Sequence, residues 1–485
     1  MTNSIRAEWT KFRTVRGWVI GLLTAIPLTV LIGLLGPLGS SFDCAGPNGA
    51  QCRGNTPPIG PDGTPVFDTF YFVHRTLTGD GSVTARVGAL RDAEPWAKAG
   101  LLLKEGTTSG SRYAAVLLTG GHGVRMQYDF TEDIAGPSPD EDRQWLRLTR
   151  EGTTLTGETS SDGRRWSTVG TVRLDFGERV ELGMFVSSPQ HLETSNTFGG
   201  RLDRGAPTVA TTSFDQVRTT GAAAEDWRGT AVGIDPAREH EVGFTDDGGD
   251  LTITGTGDIA PIPASAGSLG KTAENALVGA FAGLVAVLVV AALFATSEYR
   301  RGIIRTSFTA NPRRGQLLAA KAVVVGGLSF VVGAVSSALA LPLVERAELA
   351  EGFFQHPTTW LTELRLVLGT GLLFAVAAVL AVALGMFLRR GALTVTAVVV
   401  GVVLPYLLAV ASVLPTGPAE VLVTVTPAAA FAIQQSVEEY PQVAASYTPA
   451  DGYFPLSPTG GLVVLCGYAA VAVVLAAIAT RRRDA

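Results

Sequence analysis

Lysine and arginine side chains are the most informative charged groups of this chain, and outside positions 39–274 most of them lie in four short segments. Of the 38 Lys and Arg in the 485-residue chain, 21 lie between positions 39 and 274 and 17 lie elsewhere. Arg346 and Arg365 are isolated, and the other fifteen of those 17 are clustered. The clusters are Arg6, Lys11, Arg13 and Arg16; Arg300, Arg301, Arg305, Arg313, Arg314 and Lys321; Arg389 and Arg390; and Arg481, Arg482 and Arg483. Such groups can pair with anionic lipid headgroups or with acidic surfaces of a partner protein.

Long apolar runs separate these basic segments. A helix needs roughly 20 apolar residues to cross the hydrocarbon core of a bilayer. Six runs meet that requirement, and none contains Lys, Arg, Asp or Glu: Trp18–Leu38, Ala276–Ala295, Ala322–Val344, Leu366–Leu388, Ala392–Leu414 and Gly461–Thr480. Buried helices of soluble proteins usually keep one polar face, whereas these runs are apolar all round. The pattern therefore predicts an α-helical polytopic membrane domain with six transmembrane helices.

The basic clusters also predict the orientation of these helices. Cytoplasmic loops of membrane proteins collect Lys and Arg close to the spans. With six spans, all four clusters fall on one side of the membrane. The chain is therefore expected to be a plasma-membrane protein with both termini in the cytoplasm. The connections at 39–274, about 345–364 and 415–460 then face outward. The first run could also be read as a secretory signal peptide, although it is longer than the usual signal core.

The long connection 39–274 differs in composition from the rest of the chain. It carries 21 Lys and Arg against 32 Asp and Glu, a net charge of −11, whereas the remainder carries 17 against 11, a net charge of +6. Nucleic-acid binding is not favoured by this balance. Short alternating runs, separated by turn signals such as Gly79-Asp80-Gly81, predict an extracellular all-β sandwich. Among these runs are 70–73, 82–87, 99–103, 113–118, 124–128, 144–148, 154–159 and 180–186.

Cys44 and Cys52 flank a short turn-rich stretch just beyond the first run. An oxidising exterior would permit a disulfide between them. Two free thiols remain the alternative. A metal site is not expected, since no His or further Cys lies nearby.

The β region resembles the concanavalin-like, laminin-G-like β-sandwich over roughly residues 66–220. The resemblance lies in WAKAGLLLKEG (96–106), RYAAVLLTGGHGVRMQY (112–128), WLRLTREGTTLTGETSSDGRRWSTVG (145–170), VELGMFVSS (180–188) and the closing TTSFDQVRTT (211–220). Residues 225–260 are predicted to add a further β segment. The resemblance implies a module that binds a cell-surface carbohydrate or peptide ligand, or that acts as a spacer.

Two shorter segments have helical patterns of their own. Residues 1–16 predict an interfacial helix with Ile5, Trp9, Phe12 and Val15 on one apolar stripe. Residues 421–433 are apolar but too short to span, and Pro427 interrupts them, which predicts a re-entrant or interfacial helix. The chain is therefore predicted to divide into 1–38, 39–274 and 275–485.

The helical part resembles the permease subunits of type-2 ABC transporters of high-GC Gram-positive bacteria. The resemblance lies in AEWTKFRTVRGW (7–18), TSEYRRGIIRTSFTANPRRGQLLAAK (296–321), VTPAAAFAIQQS (425–436) and the terminal RRRDA. It implies a permease that works as a homodimer or heterodimer in the lipid bilayer, coupled to a separate ATP-binding subunit. The large insertion after the first run departs from the family's short first outer loop.

The resemblance implies that the cytoplasmic segment 296–321 is the coupling site for the ATP-binding subunit. The residues assigned to it are Glu298, Arg300, Arg301, Gly302, Arg305, Pro312, Arg313 and Arg314. For any one of these arginines, the alternative is a role in topology and headgroup binding alone. Gly270-Lys271-Thr272 does not make a phosphate-binding loop, because Ser265 stands where the first glycine would be. ATP and Mg²⁺ are therefore expected only in the partner, and this chain is expected to be neither an enzyme nor a metal protein.

These features favour a transporter subunit, in particular an exporter. The alternative is a membrane-anchored cell-surface binding or sensor protein without transport activity. A single anchor would suffice for that alternative, so six spans argue against it.

Overall fold

The computed structural model describes residues 2–38, 57–90, 93–138, 143–197, 200–222, 226–263, 270–300, 314–445 and 447–483. Helices occupy the stretches before residue 39 and after residue 272, and strands occupy the stretch from 66 to 261. The prediction of a helical part and a separate β-rich part is therefore confirmed.

Six helices in the described part of the chain are long and apolar enough to cross a membrane. They are numbered long helices 1 to 6: Arg16–Leu38, Ala280–Tyr299, Gly315–Ala350, Trp360–Leu388, Gly391–Val410 and Pro458–Arg481. Several extend beyond the predicted apolar runs, because charged residues at their ends also adopt helical backbone. Long helix 2 begins later than predicted, since Ala273–Ala276 forms a separate helical turn.

The N-terminal segment forms a helix over Thr2–Thr14, as predicted, but its buried face differs from the expected stripe. Glu8 and Phe12 are buried, whereas Trp9 is 43% exposed. Val15 lies beyond the helix in extended backbone, at the break before long helix 1. A carboxylate thus faces inward where the apolar stripe predicted only hydrophobic contacts.

The predicted short apolar segment near 421–433 is a bent helical pair. An α-helix over Thr416–Val425 meets a 3-10 helix over Pro427–Gln434 at an angle of 97°. Pro427 stands at the first turn of the second helix, where a missing N–H costs nothing. The 3-10 helix is buried over its whole length. We call this pair the bent hairpin.

The β domain contains seventeen strands within the residues described. In chain order they are β1 Val66–Asp68, β2 Phe70–Gly88, β3 Lys98–Lys104, β4 Tyr113–Thr119, β5 Val124–Tyr128, β6 Glu132–Ala135, β7 Arg143–Glu151, β8 Thr154–Ser160, β9 Ser167–Arg173, β10 Arg179–Ser187, β11 His191–Thr197, β12 Gly200–Ala206, β13 Val209–Ala222, β14 Arg228–Val232, β15 Gly243–Asp247, β16 Asp250–Thr256 and β17 Ile259–Pro261. Thirteen of them form one antiparallel sheet.

The long strand β2 organises that sheet. Its first half pairs with β10 up to Thr78, and its second half pairs with β7 from Gly81 onward. The predicted turn at Gly79-Asp80-Gly81 is therefore wrong: the chain continues as one strand and changes neighbours there. Gly79 adopts φ +73°, a backbone conformation that glycine reaches without the strain it would cause in a residue with a Cβ. The further β segment predicted near 225–260 is present and joins the same sheet, because β14 pairs with β2 and β16 pairs with β13.

Two apolar clusters fill the β domain. The larger one lies between the strands of the folded sheet and includes Leu101, Leu148 and Met184. The smaller one lies on the opposite face of β3 and β4, and includes Phe70, Tyr113 and Phe130. The short pair β1 and β17 contributes Val66 and Ile259 to this second cluster. These two strands are also the ones nearest to long helices 1 and 2 along the chain.

Candidate functional site

Four charged side chains meet where the N-terminal helix crosses long helices 2 and 3. Lys11 Nζ lies 2.7 Å from Glu8 Oε1 and 2.9 Å from Glu298 Oε1. Lys321 Nζ lies 2.8 Å from Glu8 Oε2 and 2.8 Å from Glu298 Oε1. The two lysines thus bridge the two carboxylates, and we call the set the inner charge cluster.

Helix geometry and aromatic packing bring these groups together. Glu8 and Lys11 are three positions apart and share one face of the N-terminal helix. One turn further, the Phe12 ring packs edge-on against Phe294 of long helix 2, with centroids 5.5 Å apart. Trp18 of long helix 1 contacts the same ring at 6.0 Å. The N-terminal helix is therefore fixed to long helix 2 by apolar contacts that flank the charged ones.

The inner charge cluster is largely shielded from solvent. Glu8 and Lys321 are each 1% exposed and Glu298 is 7% exposed, whereas the Lys11 side chain is 42% exposed. Two carboxylates and two ammonium groups make the cluster neutral overall, which offsets part of the cost of burying charge. Lys321 Nζ also lies 4.6 Å from the Phe294 ring centroid, a favourable position for a cation. Removal of one member would leave a buried charge without its counterpart.

Three of the eight predicted coupling residues, Glu298, Arg300 and Arg314, lie in the described helices on either side of residues 301–313. Glu298 hydrogen-bonds within the inner charge cluster. Arg300 is the last residue of the α-helix that contains long helix 2, and Arg314 is the first residue of the α-helix that contains long helix 3. Arg301, Gly302, Arg305, Pro312 and Arg313 lie outside the described residues, as do Cys44 and Cys52. Their assignments stay predictions. The structure adds that Glu298 fastens three helices together.

A further basic segment lies at the same end of the helices. The Arg389 guanidinium carbon is 5.1 Å from the Tyr299 ring centroid, next to Glu298 in the chain. Arg389 caps long helix 4 in a left-handed conformation, with φ 60°. Three of the four basic segments identified in the sequence therefore meet around the ends of long helices 2, 3 and 4.

At the opposite end, three consecutive polar residues hold the bent hairpin in place. Gln434 Nε2 donates to Thr370 Oγ1 at 3.0 Å, and Arg365 Nη2 donates to the Gln435 carbonyl at 2.6 Å. The Ser436 N–H donates to Glu274 Oε2 at 3.2 Å, and the Ser436 hydroxyl donates to the same oxygen. We call these six residues the hairpin clamp. It joins the end of the 3-10 helix to long helix 4 and to the turn before long helix 2.

Burial shapes the electrostatics of the hairpin clamp. Glu274 is 7% exposed, and its Oε1 atom has no hydrogen-bond partner among the described groups. Desolvation raises the pKa of the Glu274 carboxyl to about 7, although the Ser436 hydrogen bonds oppose the shift. The Glu274 carboxyl therefore titrates close to neutral pH. Its protonation changes how strongly it accepts hydrogen bonds from Ser436.

The sequence carried weak signals for residues that it did not assign to a site. Glu8 is the one acidic residue among the first 38, in a segment otherwise basic. Arg365 is one of the two basic residues outside the four clusters. Each was an exception to a charge pattern, and each proves to make a buried or half-buried polar contact. Glu274 had no such signal, because it lies in the acidic connection 39–274.

The β domain is seated against the same end of the helices as the hairpin clamp. Gln442 Nε2 donates to the Thr131 carbonyl at 2.8 Å. Lys271 pairs with the loop before long helix 4, its N–H bonding the Phe354 carbonyl at 2.7 Å. A cleft of about 470 Å³ lies at the first contact. It is lined by Asp62, Thr64, Thr131, Glu132, Asp133, Glu438, Glu439, Tyr440, Pro441 and Gln442.

Comparisons with known proteins do not assign a family. No family model matches the chain, and no curated protein matches it. Among solved structures, a functionally unknown protein from Saccharomyces cerevisiae is 17% identical, with 32% of this chain and 76% of that chain covered and a TM-score of 0.22. Scytalido-glutamic peptidase is 9% identical, with 40% and 100% covered and a TM-score of 0.26. A GH43 protein from Bacillus licheniformis is 14% identical, with 29% and 27% covered and a TM-score of 0.21. These TM-scores are too low for the likenesses to define a fold or an activity.

Proposed function

We propose that this chain is the membrane-spanning permease subunit of an ABC transporter, working as an exporter driven by a separate ATP-binding subunit. The observation that carries the proposal is the inner charge cluster. It fastens the N-terminal helix to long helices 2 and 3, at the two ends of the segment 301–313. An ATP-binding subunit that binds this segment would therefore move three helices together.

The proposed orientation places the inner charge cluster in the cytoplasm and the β domain outside. Basic residues near spanning helices favour the cytoplasmic side. The contact between Arg389 and Tyr299 supports this assignment, because it gathers separate basic segments at one end of the helices. The β domain lies at the other end, where Gln442 contacts Thr131.

The bent hairpin is the proposed outer gate. A 97° bend at Thr426 and Pro427 leads into a short buried helix whose end contacts long helix 4 at Thr370. Non-helical backbone at membrane depth is tolerated where it is buried in protein or lines a cavity. The hairpin clamp joins this 3-10 helix to long helix 4 and to the turn before long helix 2 by hydrogen bonds that involve side chains. These hydrogen bonds can break, and the 3-10 helix can move, while the long helices stay folded. The β domain above it would gate or receive the substrate, or bind a surface ligand.

Co-purification tests the proposed coupling. The full chain, carrying an affinity tag and extracted from its own host in mild detergent, should capture an ATP-binding-cassette subunit. The variant R301A/R305A/R313A should lose at least tenfold of that capture, because it removes the charges of the predicted docking segment. The control R164A/R165A removes two exposed charges from the β domain and should leave capture unchanged. Equal capture by the docking variant and the control would refute the coupling assignment.

Excision of the β domain tests its role separately. Val66 and Pro261 are paired residues of β1 and β17, so a short Gly-Ser linker can replace residues 58–262 without stretching the chain. Export from cells that express the ATP-binding subunit should fall if the domain gates or receives the substrate. Unchanged export would make the domain a passenger or an independent ligand-binding module.

A further inference from the structure

Strand β3 buries two lysines on the face that supports β1 and β17. Lys98 and Lys104 both have fully buried side chains, with exposures of 0%. Lys98 Nζ lies 2.6 Å from Asp258 Oδ1, next to β17, and Lys104 Nζ lies 2.8 Å from Asp68 Oδ2, at the end of β1. The two strands nearest to the long helices are thus each tied to the middle of the β domain by a buried Lys–Asp contact.

The surroundings of Lys104 are unusually dry and aromatic for an ammonium group. Its Nζ lies 5.4 Å from the ring centroid of Phe130, 5.8 Å from that of Tyr113 and 6.0 Å from that of Phe70. Its polar contacts are Asp68 and the Ser111 carbonyl, which accepts a hydrogen bond at 2.8 Å. The Asp68 side chain is also 0% exposed.

Asp68 is held in one orientation by a backbone donor. The Gly110 N–H bonds Asp68 Oδ2 at 2.7 Å, the same oxygen that Lys104 contacts. Asp68 Oδ1 is buried and has no partner among the described groups. An amine 2.8 Å from one carboxyl oxygen lies roughly 3.5 Å from the carboxyl carbon, which is the separation at which near-attack geometries begin.

Burial drives this pair toward its neutral form. Desolvation raises the pKa of the Asp68 carboxyl and lowers the pKa of the Lys104 amine. A proton passed from ammonium to carboxylate leaves a free amine, which is a nucleophile, beside a carboxylic acid, which is an electrophile. Desolvation in an apolar pocket is one of the recognised ways in which a lysine becomes nucleophilic.

We propose that Lys104 and Asp68 join in an intramolecular amide bond. The Nζ lone pair attacks the Asp68 carboxyl carbon, the C–N bond forms, and the C–Oδ2 bond breaks. One Nζ proton goes to the departing hydroxyl, which leaves as water. No oxidant, reductant or other reactant takes part. Water is excluded by the aromatic cluster, which favours the amide over its hydrolysis.

The neighbouring pair provides an internal comparison. Lys98 Nζ also donates to the Ile259 carbonyl at 2.6 Å, and Asp258 Oδ1 accepts a hydrogen bond from the Ile259 N–H at 2.8 Å. The Asp258 side chain is 8% exposed, so solvent reaches it. Asp258 and Asp68 each accept one lysine and one backbone N–H hydrogen bond, so contact with solvent is what distinguishes the Asp258 carboxylate. The Lys98–Asp258 contact is therefore expected to stay an ion pair.

The amide would matter because of where it lies. Among the described strands, β1 pairs only with β17, over three residues, and it is the first described strand after long helix 1 in the chain. Because only three residue pairs hold β1 to β17, the two strands separate easily when the long helices move. A covalent bond to the central strand β3 would fix the attachment of the β domain, whatever ligand the domain binds.

Mass spectrometry of the purified full chain tests the bond. The protein is unfolded, its thiols are reduced, and it is digested with trypsin. The amide predicts a branched peptide in which residues 54–75 are joined to residues 99–112, lighter than the sum of the two by one water. Trypsin should not cleave after Lys104, because the side chain is no longer a cation. The K104R variant keeps the charge but has no equivalent nucleophile, and it should yield three linear peptides, 54–75, 99–104 and 105–112.

The matched control is K98R, which alters the neighbouring ion pair and should still yield the 54–75 branched peptide. Full recovery of the wild-type linear peptide 54–75, with cleavage after Lys104, would overturn the proposal. Loss of water mapped to any other pair of residues would overturn it as well. The wild-type measurement decides the question by itself, so a variant that fails to fold does not obscure it.

Discussion

The substitution Glu274→Gln is predicted to remove a pH dependence from the stability of the helical part. Glutamine reproduces the shape of the protonated carboxyl, and its carbonyl can still accept a hydrogen bond from Ser436. In one of its two amide orientations, glutamine would put an NH₂ group in place of the buried Oε1 atom, which has no hydrogen-bond partner among the described groups. The variant therefore mimics the neutral state of the hairpin clamp at every pH.

The magnitude follows from the pKa of Glu274. Its folded-state pKa is about 7 against an ordinary value of 4.5. Each unit of difference corresponds to about 1.4 kcal/mol, so a difference of about 2.5 units gives roughly 3–4 kcal/mol in total. Because the folded-state pKa is raised, the neutral carboxyl favours the folded state. The stabilisation is fully present below about pH 4.5 and is lost as the pH rises through about 7.

Thermal unfolding of the full chain in detergent micelles checks this prediction. The wild-type unfolding temperature should fall between pH 5 and pH 8 relative to that of the Glu274→Gln variant, and the two should converge at the acidic end. Glu351→Gln is the control, since Glu351 is exposed and near the same end of the helices. Parallel pH profiles for the wild type and the Glu274→Gln variant would refute the reasoning.

Three further substitutions test other contacts by unfolding measurements. Lys321→Met should destabilise the fold by about 3–5 kcal/mol, because it leaves two buried carboxylates, Glu8 and Glu298, with the partly exposed Lys11 as their one remaining cation in the cluster. The added change Glu298→Gln should recover part of the loss, and additive losses would argue against a coupled cluster. Arg365→Met should cost about 1.5–3 kcal/mol through loss of the charged hydrogen bond to Gln435, whereas Arg346→Met is the control at an exposed position; equal effects would contradict the clamp. Gly183→Ala should cost about 1–3 kcal/mol or more, since a methyl group there would overlap the Val73 carbonyl of the paired strand β2; Gly177→Ala, where nothing lies within 4 Å, should be nearly neutral.

Local sequence patterns were sufficient to predict the helices and many of the strands. An apolar run long enough to cross a bilayer can be recognised without reference to other parts of the chain. The same is true of alternating runs such as 113–118 and 124–128, which the structure shows as β4 and β5. The turn expected at Gly79 was wrong for a non-local reason. Whether a strand continues through Gly-Asp-Gly depends on which neighbours are present on each side, and here β10 and β7 pair with its two halves.

The sequence by itself determined the composition of the chain, its two unlike regions and the segments that carry charge. Those properties follow from residue type and local spacing. The tertiary structure decided which charges meet: Lys321 lies 313 positions from Glu8, and Ser436 lies 162 positions from Glu274. Burial, and with it the pKa of Glu274 and the pairing of Lys104 with Asp68, depends on what packs around a side chain. Contacts between distant parts of the chain are set by packing of whole helices and sheets, which local spacing does not encode.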